Sequence, residues 1–187
     1  MNVAVYIGSF DPVHKSHTEI AKACSKRKDV DRTLIIATGD YWNKKLTYTL
    51  QERISMLKMV CPDKVEVDEK YNSYEYTYQI FRMLEKENPA NNYKLVVGSD
   101  NLPKFRQWQQ SDYLLQHDLI VVERIPFDKK YIKRWMEENK KDNYEILDLE
   151  PIEISSTYIR ENKTDWNLLK GKIDKKVFKY INKEREI

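Results

Sequence analysis

NVAVYIGSFDPVHKSH, residues 2–17, opens with an unbroken apolar run from Val3 to Ile7. It then breaks into Gly8-Ser9 and Asp11-Pro12, ahead of two histidines three apart, His14 and His17. A short β-branched run closed by glycine and an Asp-Pro step reads as a strand ending in a turn. From residue 16 to 28 the pattern becomes amphipathic, and Ser16 with Glu19 fits a capping box at its start. An apolar strand running into a helix is the first half of a βαβ unit.

Working outward, the same alternation recurs. RTLIIAT (32–38), KVEVD (64–68), YKLVVGS (93–99), DLIVVER (118–124) and YEILDLE (144–150) read as strands. Helical patterns lie at 50–60, 77–88, 102–116 and 128–139, with Thr49 and Glu52 as a second capping box and Asp128 as a third cap. Past Pro151, two further helices are expected, from near Ser156 and near Asp174. The fold expected is α/β, a Rossmann-like doubly wound, mostly parallel sheet with a helical C-terminal portion over 152–187. No stretch reads as a flexible linker, so residues 1–187 are assigned to a single domain.

The 187 residues carry 33 Lys and Arg against 30 Asp and Glu, a net charge of +3. That excess is too small to argue for a nucleic-acid partner, and the Lys and Glu read as solvated helix faces. No run approaches the ~20 apolar residues of a membrane span, so a cytoplasmic protein without membrane partners is expected. Cys24 and Cys61 are isolated from each other and suggest neither a disulfide nor a zinc site.

In an open parallel sheet, ligands bind beyond the carboxyl ends of the strands, near the point where strand order reverses. The segments to search are therefore GSFDPVHKSH, TGDYWNKKLT, YNSYEYT, GSDNLPKFRQW, RIPF and EISSTYIR. Three of the four glycines, Gly8, Gly39 and Gly98, fall there, where backbone can approach a ligand closely. No GxGxxG is present, and Gly171-Lys172 lacks the upstream glycine of a P-loop.

Either histidine alone could cap a helix or fill a polar niche. Placed together at a helix start, both imidazoles lie near free N–H groups and the positive end of the helix dipole, which makes an anion site. His-x-x-His could also ligate a transition metal, but His117 is far off in sequence and no cysteine is near, so no protein-held metal is expected.

Gly8-Ser9-Phe10-Asp11-Pro12-x-His14-x-x-His17 resembles the signature of the nucleotidylyltransferase superfamily. Gly98-Ser99-Asp100 followed by Trp108, then Ile154-Ser155-Ser156-Thr157-x-Ile159-Arg160, resembles the bacterial nicotinate mononucleotide adenylyltransferases across nearly the whole chain. That resemblance implies adenylyl transfer from ATP to nicotinate mononucleotide, giving deamido-NAD and pyrophosphate. It implies that His14 and His17 contact the ATP phosphates, while Ser155, Ser156, Thr157 and Arg160 hold the β/γ end at a second helix start. Gly8, Ser9, Phe10 and Gly98 would present backbone to the nucleotides, and Asp100 would bind adenosine or its ribose. Trp108 would stack on the pyridine ring, and Tyr76-Thr77 would meet the nicotinate carboxylate. Lys44 and Lys45 fall in a lysine-bearing loop like the family's, ahead of Arg53. Mg²⁺ would arrive with ATP, held by phosphates and water more than by protein carboxylates. The resemblance leaves room for a homo-oligomer.

Two departures stand out. Ser16 replaces the family's usual glycine, which costs roughly 1 kcal/mol or more only if the backbone there needs φ > 0; it could instead supply a cap. Ile7 stands where a first glycine is common. The chemistry itself asks for alignment and charge stabilisation rather than a base, because the attacking phosphate oxygen is already anionic. Rival readings are a nicotinamide mononucleotide or dual-specificity enzyme, phosphopantetheine adenylyltransferase, and a nucleotide-binding protein that has lost catalysis. An RNA-binding module drawn from the Tyr-rich 71–78 lacks a basic excess, and His117-Asp118 fits a helix-to-strand junction better than a metal phosphohydrolase.

Overall fold

The computed structural model describes residues 1–41 and 46–183, so Lys44 and Lys45 lie outside the described residues. The chain runs β1 (Asn2–Gly8), α1 (Lys15–Ser25), β2 (Arg32–Ala37), α2 (Leu50–Val60), β3 (Val65–Asp68), α3 (Thr77–Glu87) and β4 (Asn92–Gly98). A 3-10 turn (Ser99–Asn101), α4 (Leu102–Phe105), α5 (Ser111–Leu114), β5 (Asp118–Val122), α6 (Lys129–Glu138) and β6 (Tyr144–Ile146) follow. The chain closes with α7 (Ser156–Glu161), α8 (Trp166–Leu169) and α9 (Lys175–Lys183).

Alternation along the strands splits the core into two layers. Ala4 and Tyr6 of β1, Ile35 of β2, Val96 of β4 and Ile120 of β5 face one way, onto Ile20 and Cys24 of α1, Leu57 of α2, Ile159 of α7 and Val177 of α9. Val3 and Val5, Leu34 and Ile36, Leu95 and Val97, and Leu119 and Val121 face the other, onto Phe81 of α3, Phe105 of α4 and Trp135 of α6. The strands pair in the order β3-β2-β1-β4-β5-β6, every pair parallel. Strand order therefore reverses between β1 and β4, and Gly8 and Gly98 end those two strands side by side at the carboxyl rim. This is the Rossmann-like arrangement expected, with its ligand crevice at the reversal.

Thr49 and Glu52 form the reciprocal box at the start of α2, with Glu52 Oε2 accepting the Thr49 N–H at 2.6 Å. Asp128 accepts the Tyr131 N–H at 2.9 Å and caps α6. Three expectations are corrected. Helix α1 starts at Lys15 with His14 at the cap position, so Ser16 lies inside the first turn and the Ser16–Glu19 box does not form. The 102–116 helix is broken, because Gln110 takes a left-handed conformation (φ 56, ψ 39) between α4 and α5. Past Pro151 the described residues form three helices rather than two, α8 lying between the expected pair. Cys24 is buried and Cys61 half-buried, both as free thiols. Among the described residues no helix is long and apolar enough to cross a membrane.

Candidate active site

The loop after β1 is held from every side. Thr38 N–H donates to the Gly8 carbonyl at 2.9 Å, and fully buried Arg53 donates from Nη1 to the Ser9 carbonyl at 2.7 Å. Arg53 also reaches the Tyr48 carbonyl and Asp40, which makes it a strut under the loop rather than a ligand arm. The Asp11 carboxylate accepts the Thr47 and Tyr48 N–H groups, both at 2.9 Å. Phe10 sits at φ 48, and its ring lies over Gly8, where an added Cβ would come within 3.0 Å. Gly8 thus makes room for the chain's own aromatic ring.

This bracing delivers the histidines. Their rings stack with centroids 3.7 Å apart and planes 20° apart, and His17 packs edge-on against Phe10. The His14 N–H donates to His17 Nδ1 at 3.3 Å. A neutral His17 accepting at Nδ1 carries its proton on Nε2. His14 is buried and its Nδ1 has no partner among the described residues. Burial, then the positive charge of Arg124, holds the His14 pKa down at about 3. Burial, then His14 and Arg124, lowers that of His17 well below its ordinary value. Both are neutral at pH 7. One donor of the α1 start, Lys15 N–H, is taken by the Lys172 carbonyl at 2.8 Å.

The second helix start docks on the same loop. Ser155 caps α7 by accepting the Tyr158 N–H at 3.1 Å, and Ser156 Oγ donates to the Pro12 carbonyl at 3.0 Å. Arg160 donates to the Asp11 carbonyl at 2.6 Å and to Thr157 Oγ1 at 3.0 Å. Of these four residues, Ser155 lines the cavity in front of the histidines, while Ser156, Thr157 and Arg160 bond to their own chain beside it.

At the end of β4, the Asp100 carboxylate folds back over Gly98, and an added Cβ there would fall 2.3 Å from Oδ1. Buried Ser99 accepts the Arg124 N–H at 2.8 Å and donates to the Phe127 carbonyl at 2.7 Å, tying the β5 rim to the β4 rim. Arg124, which lines the cavities at this rim, is a candidate site residue that sequence reasoning missed. The signal available was its position directly after a central strand, in RIPF.

Three cavities run in series along the rim. One of about 420 Å³ is lined by Tyr76, Thr77, Lys104 and Trp108, with Glu75 at the same wall. A middle crevice of about 280 Å³ shares Thr77 and Trp108 with it and is lined by Gly8, Phe10, His17, Gly98, Asp100 and Arg124. The third, about 580 Å³, shares His17, Asp100 and Arg124 with the crevice and adds His14, Ser155, Ile125 and Ile152. Trp108 is half-buried, with its ring stacked on Phe105 at 4.8 Å, and Gln79 Oε1 accepts the Tyr76 N–H at the start of α3. His117 is not at this rim: its ring meets Glu85 at 2.8 Å and the Tyr113 carbonyl at 3.2 Å, at the α5–β5 junction. Among the described residues no trio of His, Cys, Asp or Glu is grouped to hold a metal.

A cytidylyltransferase-like family model matches residues 5–162. A relative from Endomicrobium trichonymphae, named "Probable nicotinate-nucleotide adenylyltransferase", is 34% identical over 96% of this chain and 95% of its own length. The chain belongs to the cytidylyltransferase-like family and, within it, to the nicotinate-nucleotide adenylyltransferases. A second member of that name, from Fusobacterium nucleatum subsp. nucleatum, is 31% identical over 98% of both chains. The nicotinic acid mononucleotide adenylyltransferase of Plasmodium falciparum, solved in complex with NaAD, superposes with a TM-score of 0.84 over 99% of this chain and 96% of its own. At 22% identity that likeness establishes the shared Rossmann-like α/β fold.

Proposed function

We propose that this chain transfers the adenylyl group of ATP to nicotinate mononucleotide, forming deamido-NAD and pyrophosphate, as a cytoplasmic step of NAD biosynthesis. The observation that carries the reading is the series of three adjoining cavities, each sharing lining residues with the next, which suits two nucleotides meeting phosphate to phosphate. The triphosphate lies against His14, His17 and Ser155, with Ile125 and Ile152 beside the adenine and Asp100 near the ribose. Arg160 engages Asp11 and Thr157 and keeps its remaining guanidinium donors for the departing pyrophosphate. Trp108 stacks on the pyridine. Glu75 and Lys104 offset each other at that wall, so preference for a carboxylate over a neutral amide rests on the N–H groups at the start of α3, around Tyr76 and Thr77.

The mononucleotide's phosphate oxygen forms a bond to the α-phosphorus as the bond to the bridging oxygen breaks, and the electron pair leaves with pyrophosphate. No proton has to be removed from the nucleophile. The work of the protein is to align the two phosphates and to donate hydrogen bonds, His17 Nε2–H among them, to charge that grows in the transition state. Asp100 and Glu153 are separate carboxylates in the phosphate cavity. That donor set would suit Mg²⁺ carried in by phosphate oxygens and water, with Asp100 and Glu153 near it, and the ion would supply neutralisation of phosphate charge.

The test is ATP-dependent pyrophosphate release with nicotinate mononucleotide, nicotinamide mononucleotide and phosphopantetheine compared. Release fastest with nicotinate mononucleotide is expected. Preference for another acceptor overturns the substrate assignment, and no release with any of them favours a nucleotide-binding protein without catalysis.

A further inference from the structure

Two anionic phosphates must approach each other in the middle crevice, and among the described residues lining it Arg124 is the one permanent cation. The other basic group there, His17, is kept neutral by burial. Where the guanidinium points therefore decides where the crevice is positive. Its backbone is fixed by Ser99, and its side chain reaches α1, where Nη1 donates to Ser16 Oγ at 3.0 Å. Ser16 is 2% exposed, inside the first turn of α1 and between the two histidines.

We propose that Ser16 is a positioning residue of this enzyme: its hydroxyl holds the Arg124 guanidinium at the junction of the crevice and the phosphate cavity, where Arg124 bridges the α-phosphate of ATP and the attacking phosphate. This rests on the adenylyl transfer proposed above. A guanidinium has five donors in a rigid fork, so its bond to Ser16, together with the one it makes to the buried Tyr6 hydroxyl, sets its plane and leaves the remaining donors for phosphate oxygens. The long side chain would otherwise sample many rotamers, and a preset donor is already in place when charge develops at phosphorus. Arg124 takes no proton and forms no covalent bond. The buried hydroxyl thus has a specific side-chain contact, which neither a helix cap nor core packing accounts for.

A double-mutant cycle tests this, using Ser16→Ala, Arg124→Lys, Arg124→Ala and the two combinations, with kcat and KM measured by pyrophosphate release. Ser16→Ala is expected to lower kcat about fivefold or more while KM for ATP stays within about twofold, a loss that vanishes in either Arg124 background. An unchanged kcat in Ser16→Ala, or an equal loss on Arg124→Ala, overturns the inference and leaves Ser16 a packing residue. Should the wild type release no pyrophosphate, the adenylyl-transfer reading fails and takes this inference with it, whereas a fully active wild type with an equally active Ser16→Ala variant overturns the inference alone.

Discussion

The imidazoles of His14 and His17 lie face to face at 3.7 Å, and the hydrogen bond from the His14 backbone N–H to His17 Nδ1 fixes which His17 nitrogen can donate. The pair is thus a preset donor surface. His17→Ala is expected to lower turnover by about 10²–10³, the loss typical of one transition-state donor. The check is pyrophosphate release at saturating substrates, with ATP binding measured alongside. Full activity in that variant removes the histidines from the mechanism.

The same burial makes acid the weak side of the free protein. The His14 pKa is lowered from its ordinary 6.5 to about 3, and that of His17 is also lowered. Between pH 6.5 and about 3 the unfolded chain binds more protons at these positions than the folded one, so stability is present in full above 6.5 and is lost as pH falls through that window. Thermal melting between pH 7 and 4 is expected to fall less steeply in a His14→Asn/His17→Asn double variant than in the wild type. Equal slopes would place the acid sensitivity elsewhere.

Trp108 supplies the aromatic wall of the first cavity, with its other support in Phe105. Stacking of a base on an aromatic side chain is worth about 1–3 kcal/mol, so Trp108→Ala is expected to raise KM for nicotinate mononucleotide by roughly 5- to 150-fold. KM for ATP should move far less, and Trp108→Phe should recover part of the loss. Steady-state kinetics with each substrate varied in turn separates the two effects, and an equal rise in both KM values would mean that the ring serves the fold instead.

The strands, their parallel pairing and the rim that carries the site were legible because apolar periodicity and glycine-ended strands are local signals. The histidine loop was legible for the same reason. What escaped reading depends on direction and tertiary partners. Gln110 carries no local mark of its left-handed conformation, so the 102–116 pattern read as one helix. Ser16 looked like a cap because a hydroxyl near a helix start usually is one, whereas its partner, Arg124, is 108 residues away. Ser156 and Arg160 also bond to the Pro12 and Asp11 carbonyls, contacts that only folding creates and that no local pattern announces.

Gly98 separates backbone need from side-chain need. Its φ of −73 and ψ of 144 suit any residue, so Gly98→Ala carries no backbone strain. The new methyl would instead fall 2.3 Å from Asp100 Oδ1 and 3.5 Å from Arg124 Cγ. Asp100 is exposed and its carboxylate can swing away, so the fold should survive with a melting temperature within about 4 °C of the wild type, the shift that a ΔΔG near 1 kcal/mol produces. Displacement of Asp100, and crowding of Arg124 in the crevice, should nevertheless cost turnover. The double variant Gly98→Ala/Asp100→Ala should melt higher than Gly98→Ala, since the clash is gone, yet turn over no faster, since the carboxylate is gone too. If Gly98→Ala instead keeps wild-type turnover, the carboxylate's place over residue 98 is irrelevant to the reaction, and Asp100 drops out of the nucleotide site.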